Sequence, residues 1–183
     1  SLDYPNLQYH IQPLSLDAFG EPLHRFSAIT ASVCNLQPDS CGEVTIRSPN
    51  ADDNPIIKPN YLSSQTDKDI AAKSITLTRN IFATEAMRKY EPSEFLPGAK
   101  YQSPQALAEQ AGNISTSIFH PVGTAKMGTG KDAVVDNELN VYGVQNLRVV
   151  DASIMPKITS GNTNSPTMMI AEKASDIILQ NRR

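Results

Sequence analysis

The spacing of the apolar residues changes near Asp67, and this change divides the chain into a first part that favours strands and a later part that favours helices. Before it, β-branched or alternating stretches predict strands at residues 7–14, 26–36 and 43–48. From Asp67 to Lys89 the apolar residues recur at helical spacing, so we expect one long amphipathic helix there. Thr66 or Asp67 is its expected N-cap.

Turn and capping signals complete the secondary structure. The turn-forming residues 37–42 (QPDSCG) predict a hairpin between the second and third strands. Helices are expected over 103–113 and 165–179, because each range begins with a capping serine followed by a proline, namely Ser103 and Pro104 and then Ser165 and Pro166. Residues 146–153 (NLRVVDAS) predict a buried strand. Together these elements indicate an α+β fold, an antiparallel sheet with helices on one side.

Composition excludes several classes of function. The net charge of the 183-residue chain is −3 and no cluster of Lys and Arg stands out, which argues against a nucleic-acid-binding protein. No run of about 18 apolar residues is present, so no transmembrane segment is expected. Cys34 and Cys41 are expected to be reduced thiols, with a disulfide across the bend between them as the alternative. The three histidines lack the neighbouring ligands of a metal site, so we expect no metal.

One histidine lies in a stretch built for backbone bends, residues 120–128 (HPVGTAKMG). Pro121 restricts the backbone directly after His120, and Gly123 permits a positive φ or a close approach of another segment. An imidazole can act as a neutral base near physiological pH, so His120 is a candidate catalytic base. A turn histidine with no catalytic role is the alternative interpretation.

A second candidate region precedes the last helix. Asp151 lies near the C-terminal end of the predicted buried strand, at the edge where α/β sheets bind ligands. The small polar residues 160–164 (SGNTN) then lead into a helix whose first amides are free to face an anion or a carbonyl. Asn162 and Asn164 can each donate and accept hydrogen bonds. The alternative interpretation is a helix cap without a ligand.

Taken together, the two regions resemble the C-terminal signatures of the glucose–methanol–choline (GMC) oxidoreductases, FAD-dependent enzymes that oxidise alcohols. FHPVGTAKMG is similar to the family's catalytic-histidine segment, and VVDASIMPKITSGNTNSPTMMIAEKASDII to its terminal FAD-contacting segment. PNLQYHIQPL, GEVTIRSPN and IIKPNYL resemble its substrate-domain strands. The resemblance covers nearly the whole chain and is nearest to the choline dehydrogenases and bacterial alcohol dehydrogenases.

The resemblance implies a role for each candidate residue. His120 matches the base that removes the proton of the substrate hydroxyl, and Asn162 matches the second active-site position. Asp151 and Ala152 match residues whose backbone lies along the ribityl and diphosphate part of FAD. The remaining matches lie near the pyrimidine edge of the flavin: Thr163, Asn164 and, at the start of the helix, Pro166.

The family's GxGxxG dinucleotide fingerprint has no counterpart here. We therefore expect the chain to correspond to the last third of such an enzyme, with residues 1–145 belonging to the substrate-binding domain and 146–183 completing the FAD-binding domain. The expected partners are a small alcohol and the N-terminal FAD-binding portion of the same polypeptide. The chain alone is expected to be inactive and not to retain FAD.

Some alternatives stay open at this point. A non-catalytic module of the same fold would keep the elements without the chemistry, and a hydroxynitrile lyase would use the histidine without net oxidation. Glu94, Phe95 and Tyr101 are candidate liners of a pocket for a cationic alcohol. A cytoplasmic location is expected, with membrane association through the electron acceptor as the alternative.

Overall fold

The computed structural model describes residues 3–18 and 20–180. These residues form two compact units. The first contains the chain up to Asn35 together with Tyr61–Thr116, and the second contains Leu36–Asn60 together with the chain from Ser117 onward. No helix in the described ranges has the length and apolar character needed to cross a membrane.

In the first unit, a two-stranded antiparallel sheet packs against a helix. Strands β1 (Leu7–Gln12) and β2 (Thr30–Asn35) pair with Tyr9 opposite Val33. Helix α1 (Gln65–Phe82) contacts β2 and is bonded to the sheet by Tyr9, whose hydroxyl lies 3.0 Å from Thr78 Oγ1. A short helix α2 (Glu85–Arg88) and helix α3 (Pro104–Ile114) follow, and α3 packs against α1.

The start of α1 differs from the sequence-based prediction. Ser64 is the N-cap, with an extended backbone and an Oγ that accepts from the Asp67 amide at 3.0 Å. Thr66 and Asp67 both lie inside the first turn, where a residue already has helical backbone angles and cannot cap. The predicted single helix to Lys89 is also wrong, because α1 stops at Phe82 and the chain restarts as α2.

The cap of α3 confirms the sequence analysis. Ser103 Oγ accepts from the Ala106 amide at 3.2 Å, and Pro104 is the first helical residue. Proline is tolerated at that position because the first amides of a helix have no carbonyl partner in any case.

The second unit contains another antiparallel pair, β3 (Glu43–Thr45) and β4 (Ile56–Lys58), bracketed on the β4 side by Pro55 and Pro59. The predicted hairpin between the second and third strands is therefore wrong, since β2 pairs with β1. Gly42 favours the observed pairing, because a Cβ at this position would lie 2.2 Å from the Lys58 carbonyl oxygen. The α+β class is confirmed, with two separate two-stranded sheets.

A small core organises the rest of the second unit. Val135, Leu139, Ile154 and Ala174 are buried together, and Val149, Val150 and Ile170 pack around them. Ile154 ends a 3₁₀ turn (Ala152–Ile154), and Ala174 lies on helix α4 (Asn164–Gln180). The apolar face predicted for the last helix is confirmed, because Ile170, Ala174, Ile177 and Ile178 are its buried and half-buried apolar residues after Met169.

Two predictions for this region are wrong. Residues 146–153 form no strand; Arg148 makes one bridge to Asn140, and the Val149 amide donates to the Leu139 carbonyl. Among the described residues only a loop runs beside this segment, so single bridges replace a ladder. Helix α4 begins at Asn164, and Ser165 therefore lies inside its first turn and does not cap it.

Removal of the α1 cap provides a test of this architecture. We expect Ser64→Ala to lower the free energy of unfolding by about 1 kcal/mol, because the Asp67 amide loses its acceptor. Thr66→Ala, at an exposed helical position, is the matched control and should change stability by less than about 0.5 kcal/mol. Urea unfolding of the wild type and the two variants measures both effects. A larger loss of unfolding free energy in Thr66→Ala than in Ser64→Ala would show that Thr66 is the cap.

Candidate functional site

The segment after His120 is fastened to the turn that follows Asp151. The Ala125 amide donates to the Ser153 carbonyl at 3.0 Å, and the Met127 amide donates to the Ile154 carbonyl at 2.8 Å. Gly123 has a φ of +85°, and a Cβ there would lie 3.2 Å from the Met155 carbonyl oxygen. Both properties expected of this glycine, a positive φ and a close approach, are confirmed.

His120 itself is half-buried and bonded to the residue that precedes the last helix. Its Nδ1 lies 2.9 Å from Oγ1 of Thr163, a residue only 7% exposed. In the described ranges no hydrogen bond reaches the other ring nitrogen, Nε2. This nitrogen is not completely buried, so it keeps some exposure to solvent.

Asn162 and Asn164 flank Thr163, so all three polar residues of the predicted second region lie within a short distance of His120. Both asparagines are exposed. Asn164 is the first residue of α4, and its Nδ2 lies 3.8 Å from Met168 Sδ, a weak contact. Gly161, with a φ of +120°, makes the turn that leads into this group.

Asp151 and Ala152 lie in a different local setting. The Asp151 carboxylate caps the 3₁₀ turn by accepting from the Ser153 amide at 2.8 Å, and it also accepts from the Ser153 hydroxyl. Its side chain is therefore committed to its own turn, and the carbonyls of Asp151 and Ala152 accept from the amides of Ile154 and Met155 in the same turn. This turn packs against α4 and carries the carbonyls that hold the histidine segment.

The start of α4 has few free amides. The Thr163 carbonyl accepts from the Thr167 amide at 3.0 Å and from the Thr167 hydroxyl at 2.6 Å. Pro166 has no N–H, so Asn164 and Ser165 carry the amides of the first turn that lack an acceptor among the described residues. These two N–H groups have the partial positive charge of a helix N-terminus.

Sequence reasoning missed the bond between Thr163 and His120. It assigned Thr163 only to the flavin edge, because the two residues are 43 positions apart and nothing local connects them. The signal that was present is Pro166, three residues after Thr163, which removes an amide that a capping threonine would otherwise bond.

The comparisons with known proteins agree with the resemblance found in the sequence. Residues 38–171 match the family model described as GMC oxidoreductase. The chain is 41% identical over 178 residues to the alcohol dehydrogenase [acceptor] of Pseudomonas putida, covering 97% of this chain and 32% of that protein. It is 43% identical over 177 residues to the mitochondrial choline dehydrogenase of Homo sapiens, covering 96% and 30%.

A solved structure supports the same relationship. A structure of formate oxidase from Aspergillus oryzae RIB40, which concerns FAD modification in that enzyme, matches with a TM-score of 0.87 and 25% identity, covering 98% of this chain and 32% of the other. The chain thus spans about a third of the length of the proteins it matches. The extent of the family match and the shared fold lead to one conclusion: the chain belongs to the GMC oxidoreductase family.

Proposed function

We propose that this chain is the C-terminal part of an FAD-dependent enzyme that oxidises a CH–OH group, with His120 as the catalytic base. The observation that carries the proposal is the bond between His120 Nδ1 and Thr163 Oγ1, which holds the imidazole at the start of α4 beside Asn162. The family membership supports the reaction class, and the similarity to alcohol and choline dehydrogenases supports an alcohol substrate.

His120 has one ring nitrogen anchored and one accessible, which suits proton abstraction. In the proposed reaction Nε2 takes the proton of the substrate hydroxyl, because an oxygen with more alkoxide character releases the hydride of its carbon more readily. Asn162 orients the hydroxyl through its amide without competing for the proton. FAD, when bound, supplies the acceptor for that hydride.

The residues at the start of α4 fit one edge of a flavin. The amides of Asn164 and Ser165, which have no acceptor among residues 3–18 and 20–180, can donate to a carbonyl that gains negative charge, and they need no reorganisation to do so. Pro166 limits this donor set to two groups. The backbone of Asp151 and Ala152 is proposed to lie along the ribityl and diphosphate part, with residues 146–183 completing an FAD-binding domain.

The substrate class is proposed as an alcohol, and one candidate residue for attracting a cationic alcohol is already paired within the chain. A cationic alcohol such as choline calls for an unpaired carboxylate or an aromatic cage. Glu94, one candidate for that role, is bonded at 2.9 and 2.8 Å by the guanidinium of Arg79, which also donates to the Tyr101 carbonyl. The Glu94 charge is therefore neutralised within the first unit, and it contributes little attraction to a cation.

The role of His120 is testable in the full-length flavoenzyme. We expect His120→Ala to lower turnover of an alcohol by about 10²–10⁴-fold, because the base is removed, while the ratio of FAD to protein stays unchanged. Steady-state kinetics with a dye acceptor and the flavin absorbance measure the two quantities. Lys157→Ala, at an exposed position between Asp151 and Asn162, is the control and should keep full turnover. Unchanged turnover in the histidine variant would favour a non-catalytic module.

The two asparagines provide a second test, because the proposal gives them different roles. We expect Asn162→Ala to lower kcat with FAD content unchanged, since this side chain is proposed to orient the substrate. We expect Asn164→Ala to lower FAD retention, since its residue begins the donor edge of α4. Parallel measurements of kcat and flavin content separate the variants, and the opposite pattern would exchange the two roles.

The 183-residue chain itself should not retain FAD. It has no GxGxxG sequence to hold the diphosphate of a dinucleotide, and the flavin edge is only one part of the binding surface. After incubation with FAD and gel filtration, the purified chain should show no flavin absorbance. Stoichiometric bound flavin would contradict the proposed division of the FAD site.

A further inference from the structure

Thr163 stands where a helix cap is expected but does not act as one. It directly precedes α4, and its carbonyl accepts the first bond of that helix, from the Thr167 amide. A capping hydroxyl normally accepts from the second or third helical amide. Ser64 and Ser103 do this in the same chain, each accepting from the amide three residues later.

The reason for the difference is Pro166. It occupies the third position of α4, the same position that Asp67 and Ala106 hold in α1 and α3, and it has no N–H. The Thr163 hydroxyl is consequently available for another partner. In the described part of the chain its one hydrogen bond is with His120 Nδ1, at 2.9 Å.

Thr163 is also well fixed in place. It is 7% exposed, and its carbonyl is bonded twice by Thr167, at 3.0 Å through the amide and at 2.6 Å through the hydroxyl. A hydroxyl held in this way defines where the imidazole of His120 lies and how its plane is oriented.

We propose that Thr163 is a positioning residue for His120: its Oγ1 accepts from Nδ1–H and thereby keeps the neutral imidazole in the tautomer whose Nε2 carries the lone pair. A threonine hydroxyl can donate to Nδ1 or accept from Nδ1–H, and the 2.9 Å separation fits either direction; the proposal assigns the accepting direction, which leaves the lone pair on Nε2. The significance for catalysis rests on the proposed role of His120 as base, because only this tautomer leaves the accessible nitrogen able to take a proton.

Nuclear magnetic resonance of the imidazole nitrogens in the ¹⁵N-labelled 183-residue chain tests the bond without FAD. Above the titration range, His120 should show a protonated Nδ1 and an unprotonated Nε2. His120→Gln assigns its signals among those of the three histidines. Thr163→Ser keeps the hydroxyl and should preserve the tautomer, whereas Thr163→Val keeps the shape and should give a mixture of both tautomers.

Folding of the second unit is checked from the amide signals of its core residues Val135 and Ile154, which should keep their wild-type positions in every variant. His24, bonded through Nδ1 to Ser15 Oγ in the first unit, is a reference whose signals should also stay the same. A protonated Nε2 in the wild-type chain, or the same tautomer in Thr163→Val as in the wild type, would overturn the proposal.

A kinetic arm separates this proposal from the proposed function. In the full-length flavoenzyme, Thr163→Val should lower kcat by about 10–100-fold, the range known for loss of a partner that orients a metal-binding histidine, with little change in KM. Thr163→Ser keeps the hydroxyl and should have a kcat near that of the wild type. If His120→Ala retains turnover while the tautomer still depends on Thr163, the proposed function fails and the bond stands. If His120→Ala is inactive and the tautomer is the same in Thr163→Val as in the wild type, the positioning role of Thr163 is wrong and the proposed function stands.

Discussion

Two backbone hydrogen bonds, from Ala125 to Ser153 and from Met127 to Ile154, connect the histidine segment to the turn that leads toward α4. The packing of Ile154 holds this turn in place, because its side chain is buried against Ala174 of α4 and against Val135. The segment that follows His120 is thereby connected to a helix that begins more than 40 residues after this histidine. Burial of about four apolar side chains thus stabilises the surroundings of His120 as well as the unit itself.

The sequence predicted best the features that depend on near neighbours. Ser103 and Pro104 specify the start of α3 by themselves. The hairpin between the second and third strands was wrong, because strand partners are chosen by contacts between distant segments. The Gly42 approach to Lys58 is one such contact, and periodicity gives no information about it.

At the candidate site, too, local features were predicted and contacts between distant segments were not. The motif containing His120 and the polar group around Asn162 were both identified as candidates, and the structure brings them together through Thr163. The strand predicted at residues 146–153 was wrong, since its apolar residues pack into the small core without a ladder partner in the described chain. Apolar spacing reports burial, whereas ladder formation also requires a neighbouring strand.

Two departures from ordinary local preferences occur beside His120. Phe119, directly before His120, has a φ of +63°, a conformation that costs a non-glycine residue about 1–2 kcal/mol. Thr163 does not cap α4, which forgoes a stabilisation of about 1 kcal/mol. Both departures affect the orientation of the same imidazole, one through the backbone that carries it and the other through its Nδ1. Natural sequences break local rules mainly at functional sites, so the two departures together support the proposed role of His120. The positive φ alone would not, because five other non-glycine residues in the described chain have one: Asn60, Leu62, Glu91, Leu139 and Asn146.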